Sequence, residues 1–201
     1  GTGKTVLAIE SARRSLCRPQ RTLVICYNKL LASWIKHCLE GFLYEDMGSA
    51  NAFCDFMETI AGEPEALKMQ ALQKRQKEYG DDNYLETYYT EVLPQAVLEK
   101  IRKGYVQKFD KIIIDEGQDI IRESYLDVID GLLSGGMAGG KWEFYCDFER
   151  QNIFLEDVDS GKYLKLLEKY GKARPFEYRL TRNCRNTKPI AEEISGIFKT
   201  G

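Results

Sequence analysis

The stretch FDKIIIDEGQD, residues 109–119, decides the fold of this chain. Its three consecutive isoleucines predict a short strand that is buried on both faces, as the strands of a parallel sheet are. Asp115 and Glu116 follow the last isoleucine directly. Two adjacent carboxylates repel each other, so their position after a buried strand indicates a bound cation. One can hold hydrated Mg²⁺ while the other orients or deprotonates a water molecule; an ordinary polar turn is the alternative.

The chain begins with GTGKT, residues 1–5, which matches part of a phosphate-binding loop. Gly3, Lys4 and Thr5 supply the last three positions of the pattern G-x-x-x-x-G-K-[ST]. In such a loop the backbone N–H groups and a helix N-terminus hold phosphates, the lysine reaches the β and γ phosphates, and the hydroxyl binds Mg²⁺. Taken alone, this motif could equally be an ordinary junction between a loop and a helix. The two motifs together, in this order, predict a site for a nucleoside triphosphate with Mg²⁺.

Apolar runs and turn residues predict alternating strands and helices. Strands are predicted over residues 21–27, 111–114, 142–146 and near 176–180, and helices over 4–17, 29–39, 163–170 and 189–198. Asn28 is predicted to cap the second helix. Residues 44–108 contain few β-branched residues, and Pro64, Gly80 and Pro94 divide them into two or three predicted helices. The alternation predicts an α/β fold with a parallel sheet, in which ligands bind at the carboxyl ends of the strands.

Composition limits the class of protein. The chain has 201 residues, of which 43% are hydrophobic and 30% charged, and its net charge is −2, as in ordinary globular proteins. Lys and Arg outnumber acidic residues over residues 1–40, so this part is the better candidate to contact a polyanion, with a solvated face as the alternative. Six cysteines without zinc-ligand spacing predict reduced thiols in a cytoplasmic protein. No apolar run approaches the ~18 residues of a membrane span.

Several short motifs, in this order, resemble the first motor domain of superfamily 1 helicases, in particular the UvrD/Rep-like group. Besides GKT, Asn28-Lys29 follows the second element as in that family, and residues 115–119 match its D-E-x-Q-D motif. A strand, then Asp147, then Gln151-Asn152-Ile153-Phe154 resembles its third motif, and residues 180–185 match L-x-x-N-x-R. The resemblance spans nearly the whole chain. It implies a RecA-like P-loop NTPase fold with a parallel sheet flanked by helices and a small helical insertion.

The resemblance also implies a role for each matching residue. ATP would be bound by the loop residues Gly1, Thr2, Gly3, Lys4 and Thr5, together with Gln151 and Arg185. Thr5 and Asp115 would bind Mg²⁺, and Glu116 would activate the attacking water. Gln151 would sense the γ-phosphate, and Arg185 would neutralise the charge that develops on it. Contacts with nucleic acid are expected at Tyr27, Asn28, Lys29 and Phe154.

These expectations describe an ATP hydrolase that moves on single-stranded DNA. Residues 1–43 and 109–201 are expected to form the RecA-like domain, and residues 44–108 the helical insertion. The chain is expected to be a piece of a longer protein whose second RecA-like domain completes the ATP cleft, so that the piece alone has little ATPase activity. Three alternatives stay open: a P-loop switch or signalling ATPase that does not translocate, an RNA-directed superfamily 1 helicase, and a binding module without catalysis. No membrane contact is expected.

Overall fold

A four-stranded parallel sheet is the centre of the fold. The computed structural model describes residues 3–43, 47–148 and 160–180. The strands are β1 (Thr22–Cys26), β2 (Gly48–Ala52), β3 (Lys111–Asp115) and β4 (Lys141–Tyr145), in the spatial order β2-β1-β3-β4. All neighbouring strands are parallel. The predicted α/β fold with a parallel sheet is therefore confirmed.

The helices lie in chain order around this sheet. They are α1 (Lys4–Leu16), α2 (Lys29–Leu39), α3 (Phe53–Ala61), α4 (Pro64–Tyr79), α5 (Tyr84–Thr87), α6 (Leu93–Arg102), α7 (Glu123–Leu132), α8 (Gly136–Gly139) and α9 (Ser160–Gly171). A π-helical turn (Tyr88–Val92) joins α5 to α6, and a 3-10 turn (Gly117–Asp119) follows β3. No helix in the described ranges is both long and apolar enough to cross a membrane.

The isoleucine run divides its side chains between two layers of core. Ile113 packs with α1 and α2 through residues such as Ala12 and Ile35. Ile112 and Ile114 face the other side, where α3, α6, α7 and α9 contribute the larger cluster. All three isoleucines are fully buried. Since successive strand side chains point to opposite faces, a run without alternation is what a sheet covered on both faces requires.

Strand β2 is the element that the sequence analysis did not predict. It lies inside the range 44–108, which was expected to be helical, and its sequence, Gly-Ser-Ala-Asn-Ala, has low intrinsic strand propensity. It pairs with β1 along its whole length, from Thr22 opposite Gly48 to Cys26 opposite Ala52. Small residues suit this position, because a Cβ on Gly48 would lie 2.5 Å from a methyl group of Leu16.

The prediction of a strand near 176–180 is wrong. Residues 174–180 have no regular secondary structure in the described part of the chain. Phe176 and Tyr178 are 94% and 80% exposed, so the apolar pattern that suggested a strand does not reflect burial among the described residues. The predicted helix over 189–198 lies outside the described residues. The division into a motor domain and a helical insertion stays a prediction.

Candidate nucleotide site

The predicted phosphate and metal residues meet at the carboxyl edge of the sheet. Helix α1 begins at Lys4, strand β3 ends at Asp115, and Asp147 follows the end of β4. Since the strands are parallel, their carboxyl ends share one edge, and β3 and β4 are direct neighbours there, with Asp115 opposite Tyr145. Four predicted residues, Lys4, Thr5, Asp115 and Glu116, thus come together although more than a hundred positions separate the two motifs.

Gly3 sets the direction in which α1 enters this edge. Its φ of 86° lies in the left-handed region, which glycine adopts without the steric cost that other residues have. The first helical hydrogen bond follows at once, from the N–H of Leu7 to the carbonyl of Gly3 at 3.1 Å. The first turn carries no acidic residue, so its N–H groups and partial positive charge meet no competing carboxylate within the turn.

Asp115 is the buried acid of the site. It is 1% exposed, and it accepts a side-chain hydrogen bond from Thr5. Burial raises the pKa of the Asp115 carboxyl above its ordinary value, against the opposing effect of the Thr5 bond. Its second oxygen, Oδ2, is buried without a hydrogen-bond partner among the described residues. A buried carboxylate oxygen without a partner is costly, so a ligand for this oxygen is the expected explanation.

The donor set around Asp115 suits Mg²⁺ better than a metal held by protein alone. The described residues contain no group of three or more His, Cys, Asp and Glu side chains arranged to hold a metal. One carboxylate and one hydroxyl, with the remaining positions left to water and phosphate oxygens, is the way in which nucleotide sites bind Mg²⁺. Asp115 and Thr5 therefore fit the ion that the sequence analysis predicted for them.

Glu116 occupies a strained backbone position directly after Asp115. Its φ of 50° and ψ of 46° are in the left-handed region, which is uncommon for a residue other than glycine. Its carboxylate accepts a hydrogen bond from the side-chain amide of Gln118 at 2.7 Å. Backbone strain of this kind persists where surrounding contacts hold it, and it is found often at functional sites.

Gln118 and Asp147 belong to the site but had no role in the sequence analysis. Gln118 is 8% exposed, and its side-chain oxygen accepts the backbone N–H of Asp147 at 2.9 Å. The carboxylate of Asp147 forms an ion pair with Lys4 at 3.0 Å. Both residues stand inside motifs that the sequence analysis quoted, so the motifs were a signal for them. What they contact could not be read from the motifs.

Several carboxylates of the described part of the chain lie at this edge. Within residues 3–43, 47–148 and 160–180, Asp115, Glu116 and Asp119 act on the Cys146 thiol, and Asp147, the next residue, pairs with Lys4. These charges affect the neighbouring thiol of Cys146: burial, followed by the charge of Glu116, raises its pKa to about 12. Cys26 responds in the same way, because burial and the charge of Asp115 raise its pKa to about 12. Added positive charge, such as Mg²⁺, would stabilise this arrangement.

The residues expected to contact nucleic acid stand at the start of α2. Tyr27 is 50% exposed and available for contact. Asn28 caps α2 as predicted, since its side-chain oxygen accepts the N–H groups of Leu30 and Leu31 at 2.9 and 3.1 Å. Lys29 forms an ion pair with Asp55 at 2.7 Å. Asn28 and Lys29 thus have structural partners within the protein, although all three residues are exposed.

The remaining predicted site residues, Gly1, Thr2, Gln151, Phe154 and Arg185, lie outside the described residues. Comparison of the chain with protein-family models, with curated proteins and with solved structures found no match. Function is therefore inferred from the geometry of the site and from the sequence motifs.

Proposed function

We propose that this chain binds ATP with Mg²⁺ and hydrolyses it as the first, RecA-like motor domain of a helicase or translocase similar to the UvrD/Rep-like group. The single observation that carries the proposal is the contact between Thr5 and Asp115, which leaves one buried carboxylate oxygen of Asp115 without a partner. That contact joins the end of the phosphate-loop motif to the end of the strand with the carboxylates. A parallel sheet with its ligand edge at the strand carboxyl ends supports the same function.

The predicted site residues that the structure describes each have a chemical role in this proposal. Lys4 and the first N–H groups of α1 bind the β and γ phosphates, and Thr5 and Asp115 hold Mg²⁺. When bound, Mg²⁺ neutralises charge on the phosphate oxygens. Glu116, which accepts a hydrogen bond from Gln118, orients the attacking water and takes its proton. Gln151 and Arg185, which lie outside the described residues, are proposed to contact the γ-phosphate.

Calorimetric titration with ATP, with and without Mg²⁺, tests the binding step. Wild-type protein is expected to bind Mg·ATP, and Lys4→Ala is expected to weaken binding by about tenfold or more, or ~1.4 kcal/mol. Lys103→Ala is the matched control, because Lys103 is an exposed lysine near the end of α6 that pairs with Glu99. Equal ATP affinity in wild-type protein and Lys4→Ala would refute the phosphate site.

ATP hydrolysis by the full-length protein, measured with and without single-stranded DNA or RNA, separates the motor from its alternatives. Strong stimulation by DNA that Glu116→Gln abolishes supports the motor. Stimulation by RNA alone supports an RNA-directed helicase. Hydrolysis that is indifferent to any polynucleotide supports a P-loop switch ATPase, and ATP binding without hydrolysis supports a binding module.

A further inference from the structure

Gln118 forms a bridge between the two halves of the site. Its side-chain N–H donates to Glu116 at 2.7 Å, and its side-chain oxygen accepts the backbone N–H of Asp147 at 2.9 Å. These partners fix the orientation of the amide, because a carboxylate can only accept and a backbone N–H can only donate. Gln118 is buried and both bonds are partly buried, so losing either one is costly.

The bridge continues to the phosphate-loop lysine. The carboxylate of Asp147 forms an ion pair with the ammonium of Lys4 at 3.0 Å, and the backbone N–H of Asp147 donates to the side-chain oxygen of Gln118. One continuous series of contacts therefore runs from Lys4 through Asp147 and Gln118 to Glu116. It links the residue proposed to bind phosphate with the residue proposed to activate water.

The turn that carries Glu116 has little freedom to adjust by itself. A Cβ on Gly117 would lie 2.8 Å from a ring carbon of Phe144 and 2.9 Å from the sulfur of Cys146. The backbone of the turn is thus packed directly against the end of β4. Glu116 itself has left-handed φ and ψ, so its direction is set by this packing and by the bond from Gln118.

We propose that Gln118 is a positioning residue, which couples the occupation of the phosphate site at Lys4 to the placement of the Glu116 carboxylate. The proposal rests on the proposed function. A triphosphate competes with the carboxylate of Asp147 for the Lys4 ammonium. When Lys4 turns to the phosphate, the ion pair between Lys4 and Asp147 is broken, and Gln118 moves with the N–H that it accepts. Glu116 then reaches its position for water activation only after phosphate has arrived.

Two consequences distinguish this role from a purely structural one. Without the bridge, the Glu116 carboxylate samples more orientations, so the turnover rate falls because fewer of them activate water. Loss of the bridge also weakens the contacts that hold Lys4 against Asp147 when no nucleotide is bound. Because Lys4 is then released more easily to the phosphate, the affinity for ATP is unchanged or higher.

The test compares Gln118→Met with Gln118→Glu in the full-length protein. Both remove the donor to Glu116, but the new carboxylate of Gln118→Glu can still accept the N–H of Asp147. In both variants kcat is expected to fall by about tenfold or more, while the Kd for Mg·ATP of Gln118→Met, which adds no charge, does not rise. In nucleotide-free protein, hydrogen exchange at the Asp147 amide is expected to be faster in Gln118→Met than in Gln118→Glu. Gln76→Met is the matched control, because Gln76 makes a comparable bond to Asp82 at 2.9 Å in a distant part of the fold.

The outcomes separate this proposal from the proposed function. Wild-type kcat in both Gln118 variants would overturn the coupling while leaving the ATPase proposal intact. A Kd of Gln118→Met that rises in step with the loss of kcat would also overturn it, because a structural defect weakens both. Wild-type protein that neither binds nor hydrolyses ATP would overturn the proposed function, and this proposal with it.

Discussion

The ammonium of Lys4 lies 3.0 Å from the carboxylate of Asp147, so the lysine that begins α1 is paired with an acid that follows β4. The two side chains are 20% and 25% exposed, which leaves the pair accessible to a ligand from the sheet edge. Lys4 is the residue that the sequence motif assigns to phosphate. Asp147 therefore positions the Lys4 ammonium and also competes with a phosphate for it.

Replacing Asp147 with Asn tests this competition. The variant removes the competing charge and is expected to bind Mg·ATP about two- to fivefold more tightly, the range that a partly exposed ion pair provides. Calorimetric titration measures the affinity. Asp55→Asn, which breaks the pair between Asp55 and Lys29 at 2.7 Å, is the control and should leave ATP affinity unchanged. Weaker binding in Asp147→Asn would show that the pair assists nucleotide binding.

Replacing Asp115 with Asn tests the cost of its buried charge. Burial raises the pKa of Asp115 above 3.8, so the folded protein holds this proton more tightly than the unfolded chain does. The contribution of Asp115 to stability therefore decreases as the pH rises from about 3.8 through the raised pKa. Without Mg²⁺ and nucleotide, Asp115→Asn is expected to have a higher Tm than wild type at pH 7, and the difference should shrink below pH ~4.

Thermal unfolding at several pH values measures this difference. Mg·ATP should then raise the Tm of wild type more than that of Asp115→Asn, because a ligand stabilises the state that binds it. A variant that is less stable than wild type at pH 7 would contradict the prediction.

Glu143 is the centre of a second polar group, beneath the site. Its carboxylate accepts hydrogen bonds from Lys111 at 2.7 Å, Ser11 at 2.7 Å and Tyr145 at 3.0 Å. These bonds connect α1 with β3 and β4. Burial opposes its ionised form, but the bonds from Lys111 and Ser11 outweigh this and hold the pKa of Glu143 below 4.5. Stability from this group is therefore present above pH ~4.5 and is lost as the pH falls through the lowered pKa.

Glu143→Gln is expected to lower the free energy of unfolding by ~1 kcal/mol at pH 7, since the side chain is partly exposed and its charged bonds are weakened by solvent. Urea denaturation at pH 7 and at low pH measures the effect, which should diminish in acid. Glu10→Gln on the exposed side of α1 removes the charge from a comparable pair with Arg14 at 2.8 Å, and it should cost less stability than Glu143→Gln. Equal losses of unfolding free energy in the two variants would contradict the stabilising role of Glu143.

Gly117→Ala tests the packing of the turn after β3. The new methyl would lie under 3.0 Å from both Phe144 and Cys146, so the turn or the end of β4 must shift. We expect a loss of about 1–3 kcal/mol of stability, as overpacking produces, together with reduced kcat because Glu116 moves. Gly139→Ala is the control, because its Cβ would meet no atom within 4 Å. Chemical denaturation and ATPase assays of both variants provide the measurement; wild-type stability in Gly117→Ala would refute the close contact.

Tyr27→Ala tests the nucleic-acid half of the proposal. If Tyr27 stacks on a base, its removal should weaken binding of single-stranded DNA by ~1–3 kcal/mol, with ATP affinity unchanged. Tyr105→Ala is the control, because Tyr105 is also exposed, at 73%, but lies after α6. Fluorescence anisotropy with a labelled oligonucleotide measures binding. Equal DNA affinity in the two variants would count against contact at Tyr27.

Local patterns predicted the elements that depend on nearby residues. The isoleucine run predicted β3, the apolar spacing predicted α1, and Asn28 predicted its own capping bonds. These features follow from side-chain burial and from hydrogen bonds within a few residues. Strand β2 was missed for the opposite reason, since its small residues have low strand propensity and it forms because β1 offers a free edge. Residues 176–180 show the converse error, because an apolar pattern was taken for burial although residues 176–179 are exposed.

The sequence by itself determined the α/β class, the buried central strand and the chemical character of Lys4, Thr5, Asp115 and Glu116. Those properties belong to residue types and to short spacings. The tertiary structure decided which of these groups meet: Thr5 bonds to Asp115, and Lys4 reaches Glu116 through Asp147 and Gln118. The physical reason is that a parallel sheet brings the ends of distant strands to one edge, where hydrogen bonds and ion pairs form between residues that no local pattern connects.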